Sequence, residues 1–320
     1  MTTIAEPVPS AGLAPVPAEL VGRRVHVRVP ATTANLGPGF DTLGLALADY
    51  DELDIEVQGS GLEIEVHGVG EGEVPLDDRH LVVRAMRHVF ADFGFELPGL
   101  KLVAHNTIPH GRGMGSSGAA IVAGVMAVKG ILEGVVEVSS QDALRLSTDL
   151  EGHPDNVAPG LFGGLTIAWT TPEGPRSKRL NVHRGVSPLV LVPGSSMSTE
   201  LARSLQPVTV PHEDAVFNVS RSALLIAALI QSPELLLAAT EDKLHQSYRA
   251  QAMPETDALV QSLRAAGHAA VVSGAGPSVL VLASDPAERL AAVRIAEGQP
   301  SPWEARMLAV DFKGATVEVR

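Results

Sequence analysis

Cysteine is absent from the 320 residues, which excludes disulfides and thiolate metal sites and fits a reducing cytoplasm. Aromatic residues are scarce at 3%, so a core within the 45% apolar content must be packed from Val, Leu, Ile and Ala. Positive charge is short as well. The 24 Lys and Arg against 37 Asp and Glu leave a net charge of −13, the wrong balance for gripping nucleic-acid backbones. Any anionic ligand must meet cations placed locally. No apolar run approaches the roughly 20 residues that span a bilayer; ALLIAALI at 223–230 is typical of the longest. Residues 1–22 lack the basic segment and apolar block of a secretory signal, and their prolines break helices. They are expected to be a disordered tail, and the protein to be cytoplasmic with no nucleic-acid or membrane partner.

Alternating apolar residues predict strands at 23–30, 52–58 and 62–67, and helical spacing predicts a helix over 80–94. A strand at 100–108, a helix running to about Leu132, a second helix at 139–152 and a strand within 160–170 follow. The polar, Pro- and Gly-rich stretch TPEGPRSKRLNVHRG at 171–185 reads as a domain junction, dividing the chain into 23–175 and 176–320. Beyond it come a strand at 187–193, helices around 198–206, 213–231 and 254–266, two strands joined by a glycine turn within 268–284, a helix from 286 and a last strand near 315–319. Strands and helices intermix without regular βαβ alternation, so the expected fold class is α+β.

PHGRGMGSSGAA, residues 109–120, joins an extended apolar stretch to a long apolar helix and contains four glycines and two serines. Glycines between a strand and a helix let backbone N–H groups converge on an anion, and the helix N-terminus adds the positive end of its dipole. Phosphate is the natural guest. Ser116 and Ser117, at the helix start, can cap it, touch phosphate or ligate Mg²⁺; a serine-capped tight turn with no ligand is the alternative. GMGSSG formally matches a dinucleotide fingerprint, but Glu133 and Glu137 border only the short segment GVVEV, where that fold needs an acid ending a second parallel strand. A Walker A loop is excluded because no Gly-Lys-Ser/Thr follows the glycines.

Three further stretches accompany this loop: PATTANLGPGFDTLGLAL at 30–47, EGHPDNVAPGLFGGL at 151–165 and SGAGPS at 273–278. Together and in this order, the four resemble the signature set of the GHMP kinases, most of all the branch that phosphorylates homoserine. The resemblance runs from about Val25 into the final third of the chain. It implies a two-domain α+β fold with a ribosomal-S5-like N-terminal domain, a ferredoxin-like C-terminal domain, and ATP and substrate between them. It further implies transfer of the ATP γ-phosphate to the L-homoserine hydroxyl, a step of threonine biosynthesis, with Mg²⁺ as cofactor and a homodimer as the assembly.

Residue by residue, the resemblance assigns Pro109, His110, Gly111, Arg112, Gly113, Met114, Gly115, Ser116, Ser117, Gly118 and Ala119 to the ATP phosphate loop. Asn35 and Asp41 match substrate-contacting positions, although Asn-Leu-Gly-Pro-Gly is also strong turn chemistry and Asp41 also suits a cap. His153, Asp155 and Asn156 of HPDN match a second substrate-lining group, with Asp155 and Asn156 at the reaction centre. Sister families carry a carboxylate near Asn156; an amide is tolerable because phosphoryl transfer relies on positioning and charge neutralisation. Asn156 would then orient the homoserine hydroxyl. For Mg²⁺ the register points to Asp149, together with Ser117, and Glu151 is the alternative. Arg203 and Arg249 match a pair that grips the substrate carboxylate, a task suited to the planar guanidinium, while each alone reads as a surface Arg. Gly274, in SGAGPS, would lie near phosphates and substrate. Another small-molecule kinase of the same family, of mevalonate or sugar type, a non-catalytic ligand sensor on this fold, and a dinucleotide-dependent oxidoreductase are the competing readings.

Overall fold

The structure, a computed structural model, describes residues 12–320. Strands β1 (Arg24–Ala34), β2 (Leu43–Gln58) and β3 (Leu62–Gly68) precede helix α1 (Leu81–Asp92). Strand β4 (Gly99–Asn106) leads into α2 (Ser116–Ile131), α3 (Ser140–Glu151) and α4 (Pro154–Phe162), followed by the hairpin β5 (Leu165–Thr171) and β6 (Gly174–Leu180). The remainder comprises β7 (Ser187–Pro193), α5 (Thr199–Ser204), α6 (His212–Ile230), α7 (Leu236–Ala239), α8 (Gln246–Arg249), α9 (Pro254–Ala265), β8 (Ala270–Val272), β9 (Val279–Ala283), α10 (Pro286–Glu297), β10 (Trp303–Met307) and β11 (Thr316–Val319). The fold is α+β, as the intermixed pattern predicts.

Seven strands form the first sheet, in the order β11-β1-β2-β4-β3, with β5 and β6 continuing from the first half of β2. All neighbours are antiparallel except β3 and β4. Alternation sends Val25, Val27, Val29, Leu53, Ile55, Leu100 and Leu102 into one core, and α2 lies against it. That helix is apolar on every side because it is enclosed by the sheet and the other helices. Gly124 is required there, since a Cβ would come 2.6 Å from the Ala85 Cβ and 2.7 Å from the Val82 carbonyl of α1. Pro30, which has no N–H for the ladder, marks a register shift between β1 and β2. The second sheet, β10-β7-β9-β8, packs Leu189, Leu191, Val279 and Val281 against α9 and α10.

Two sequence expectations need correction, and one helix has no counterpart among them. Residues 1–11 of the expected tail lie outside the described residues, but 12–22 are built into the fold: Ala14 pairs with Phe95 and Leu20 is 0% exposed. Proline does not exclude order: the chain makes an isolated bridge from Ala14 to Phe95, takes a 3-10 turn at Ala18–Leu20, and donates from Gly22 N–H to Val57 O. The stretch 171–185 is not simply a junction, because β6 pairs with β5 through Leu180 in the first sheet. Its polar composition belongs to an exposed hairpin, and a boundary at 175/176 cuts a strand. Helix α4 begins inside HPDN and escapes periodicity because it contains Pro154, Pro159 and Gly160.

Candidate active site

All four motifs converge on one cleft between the sheets, with a cavity volume of about 160 Å³. The loop after β4 supplies Gly111, Gly113, Gly115, Ser116 and Ser117 to its wall. Gly111, Gly113 and Gly115 all have φ between 64° and 72°, the left-handed region that Gly enters without strain. The N-cap of α2 is Gly115 and has no side-chain cap, contrary to the expected serine cap. The hydroxyl of Ser117 instead donates to Glu151 Oε2 at 2.9 Å. The first N–H groups of α2 are thereby left open to an anion.

Other loop residues serve the wall from behind. Arg112 turns away from the cleft; its Nε donates to Pro193 O (3.0 Å) and its Nη2 to Gly194 O (2.9 Å), strapping the loop to the end of β7. Met114 is buried in the core, and Gly118 faces the Asn156 Cβ. Pro109 is buried. His110 and Ala119 line a neighbouring apolar pocket of about 270 Å³, walled by Leu53, Val74 and Val82, which meets the cleft at Ser116 and Ser117.

Asp149 does not reach the cleft. Its carboxylate lies 3.5 Å from Arg145 and 3.8 Å from His88, on the side of α3 that faces α1. Two positions along a helix are rotated by about 200°, so Glu151 points the opposite way and lines the cleft. Burial is the main force raising the Glu151 pKa, opposed by His153 and Ser117. Glu151 and Ser117 offer hard oxygen donors beside the phosphate loop, the donor type Mg²⁺ takes when it keeps waters and binds substrate phosphates. No cluster of three or more His, Cys, Asp or Glu suited to a metal occurs among the described residues.

Asn35 and Gly274 turn out to be mutual supports. Asn35, at φ 71° and 4% exposed, donates from Nδ2 to Gly274 O at 2.8 Å and accepts the Asp41 N–H at 3.0 Å. Asp41 in turn forms a two-pronged ion pair with Arg203, at 3.0 and 3.3 Å. Arg249 lies close by, 3% exposed, its pKa lowered to about 10 chiefly by burial. Thus Asp41, Arg203 and Arg249 line the cleft together. Also lining it, His153 Nδ1 is hydrogen-bonded to Asp155, which is 2% exposed. Burial opposes the charged ring, but the bond and charge of Asp155 outweigh it and raise the His153 pKa.

Thr32 sits inside the first motif, but nothing in its local sequence marks it as functional. Its Oγ1 donates to Asn156 Oδ1 at 3.0 Å, fixing the amide with its NH₂ free, and a Cβ on Gly115 would lie 2.0 Å from that hydroxyl. Ser273 is a second such residue; it donates to Gly113 O at 2.6 Å and so ties the SGAGPS turn to the phosphate loop.

Asp51, lining the apolar pocket, accepts the Thr107 and Ile108 N–H groups at 2.8 and 3.0 Å. Burial pushes its carboxyl from 3.8 up to about 6, against the pull of those two bonds. The folded state therefore binds this proton more tightly than the unfolded chain, and stability is lost as pH rises from 3.8 through about 6. The loss is at most about 3 kcal/mol. Asp51→Asn removes the titration, so thermal melts are expected to show its Tm gaining on the parent between pH 4 and pH 7. A difference constant across that range would refute the assignment.

The family profile described as "GHMP kinases N terminal domain" matches residues 80–164, and "GHMP kinases C terminal" matches 225–298. A homoserine kinase from Leifsonia xyli is 71% identical over 93% of both chains. One from Streptomyces avermitilis is 49% identical over 92% of this chain and 95% of its own. The crystal structure of homoserine kinase from Cytophaga hutchinsonii superposes with a TM-score of 0.81 at 25% identity, covering 92% of this chain and 97% of that one. With its four motifs gathered at one cleft, the chain belongs to the homoserine kinases of the GHMP kinase family.

Proposed function

We propose that the cleft binds ATP and L-homoserine and transfers the γ-phosphoryl group to the side-chain hydroxyl, yielding O-phospho-L-homoserine and ADP. The observation that carries this reading is the placement of a zwitterion-reading trio, Asp41, Arg203 and Arg249, in the same cavity as the glycine loop and the Ser117–Glu151 pair. A bound amino acid exchanges partners with the Asp41–Arg203 ion pair. Its ammonium takes Asp41 and its carboxylate takes Arg203, so one broken pair is replaced by two. Arg249 adds a second, better desolvated cation.

The apolar pocket that meets the cleft at Ser116 and Ser117 would take the nucleotide base, with the phosphates over the α2 N-terminus. Ser117 and Glu151 are the residues that would hold Mg²⁺, which when bound neutralises charge on the transferring phosphate. The homoserine hydroxyl oxygen forms a bond to the γ-phosphorus as the bond to the ADP oxygen breaks. With Oδ1 held by Thr32, Asn156 presents N–H donors and orients oxygen without removing the proton. That proton leaves late, to phosphate or water. The reaction is a step of threonine biosynthesis, and a cytoplasmic location fits the absence of cysteine.

Mevalonate offers a carboxylate but no ammonium for Asp41, and galactose offers neither charge. In a coupled assay of ADP release, homoserine is expected to be turned over well ahead of serine, mevalonate and galactose. Comparable turnover of mevalonate or galactose would reject the reading.

A further inference from the structure

Arg249 ends α8, a helix of only four residues whose N-cap is His245, and its side chain is held by contacts with His245 and with two more distant segments. Its Nε donates to Ala202 O (3.2 Å), and Nη1 donates to Gly274 O (3.3 Å) and to His245 Nδ1 (3.4 Å). The guanidinium lies 5.3 Å from the centre of the Phe40 ring. Among the described residues no protein acceptor meets Nη2, and Arg249 lines the cleft.

His245 lies outside the cleft lining and outside the four motifs, and it is 0% exposed. Its Nε2 is 2.8 Å from Gly37 O, and its ring stacks on Phe40 at 5.0 Å. Donating to a carbonyl from Nε2 while accepting a guanidinium N–H at Nδ1 requires the neutral ring with its proton on Nε2. Burial lowers the imidazole pKa; the Arg249 charge lowers it further, against Asp242. Asp242 lies 3.6 Å from Nε2, but its oxygens accept the Leu244, His245 and Gln246 N–H groups.

We propose that His245 is a positioning residue for substrate recognition: as the neutral Nε2–H tautomer it fastens Nη1 of Arg249 to the Gly37–Phe40 turn and leaves Nη2 for the substrate carboxylate. This rests on the reading that Arg249 binds that carboxylate.

His245→Phe keeps the ring and its stacking but loses both hydrogen bonds, whereas His245→Gln retains one donor and one acceptor. The Phe variant is expected to raise the homoserine KM about tenfold, with the ATP KM unchanged, and the Gln variant to recover most of this. In an Arg249→Ala background, His245→Phe should add nothing. Parallel shifts in both KM values, or a full additional effect in that background, would overturn the proposal. An effect of Arg249→Ala with none from His245→Phe would overturn it while leaving the carboxylate reading intact. No effect of Arg249→Ala on homoserine KM would overturn both. If the Phe variant does not fold, nitrogen-15 NMR of the parent at pH 7 decides: a neutral Nε2–H ring at His245 supports the proposal, and an imidazolium or Nδ1–H ring overturns it.

Discussion

Glu151→Gln is expected to lower kcat by about 10²- to 10³-fold, the scale on which one electrostatic stabiliser of a transition state is lost, while Asp149→Asn leaves kcat nearly unchanged. The amide keeps the size of Glu151 and an acceptor for the Ser117 hydroxyl, now 2.9 Å from the carboxylate, but removes the charge beside the phosphate loop. Asp149 is engaged with Arg145 on the far side of α3, and as a surface group it contributes little. Titrating Mg²⁺ in both variants separates the roles further. Glu151→Gln should need more Mg²⁺ for half-maximal rate, and Asp149→Asn should follow the parental curve. The reverse ranking would return the metal site to Asp149.

Arg249→Ala should raise the homoserine KM toward a hundredfold and Arg203→Ala about tenfold, with the ATP KM barely moved. Charge-assisted hydrogen bonds contribute roughly 1.5 to 3 kcal/mol each, and tenfold in affinity is about 1.4 kcal/mol. The ranking follows from exposure. The Arg203 side chain is 37% exposed and already paired with Asp41, so solvent screens it, whereas Arg249 is 3% exposed. Lysine at either position should recover only part of the loss, since a point charge does not reproduce the guanidinium fork. Homoserine with an amide in place of its carboxylate should be a poor substrate for the parent, and the alanine variants should discriminate less against it. Because Arg249 also donates to Ala202 and Gly274, thermal melts must accompany the kinetics. Parental KM values and parental preference for acid over amide in folded variants would place the carboxylate site elsewhere.

The gathering of residues at the cleft was legible wherever it depends on residue type within a contiguous motif. Glycines at 111, 113 and 115 point to a loop with left-handed backbone, and that loop lines one cavity with the charged residues Asp41, Arg203 and Arg249. What the sequence could not show is which face a side chain takes and what meets it from afar. Asp149 and Glu151 stand two residues apart on one helix, and only the packing of α3 against α1 decides between them. Asn35 reads as a turn residue or a ligand and is in fact held by Gly274, a residue far along the chain. The resemblance assigns Arg112 to the phosphate loop, yet carbonyls at the end of β7 take its guanidinium. In the fold, strongly alternating or long amphipathic segments were readable, whereas α4 was hidden by its prolines and β6 by the polarity of an exposed hairpin.

The pairing of β11 with β1, Val319 beside Val25, bears on how the chain is made. At a synthesis rate of 5 to 20 residues per second, β1 leaves the ribosome roughly 15 to 60 s before its partner strand. For that interval one side of β1 lacks its neighbour, and an unpaired strand edge is a template for aggregation. The pairing also contributes contacts of very high sequence separation, which slow the search for the native topology. A chaperone that shields nascent edges would accordingly act on the first sheet until the second half of the chain has been threaded past it and β11 has docked.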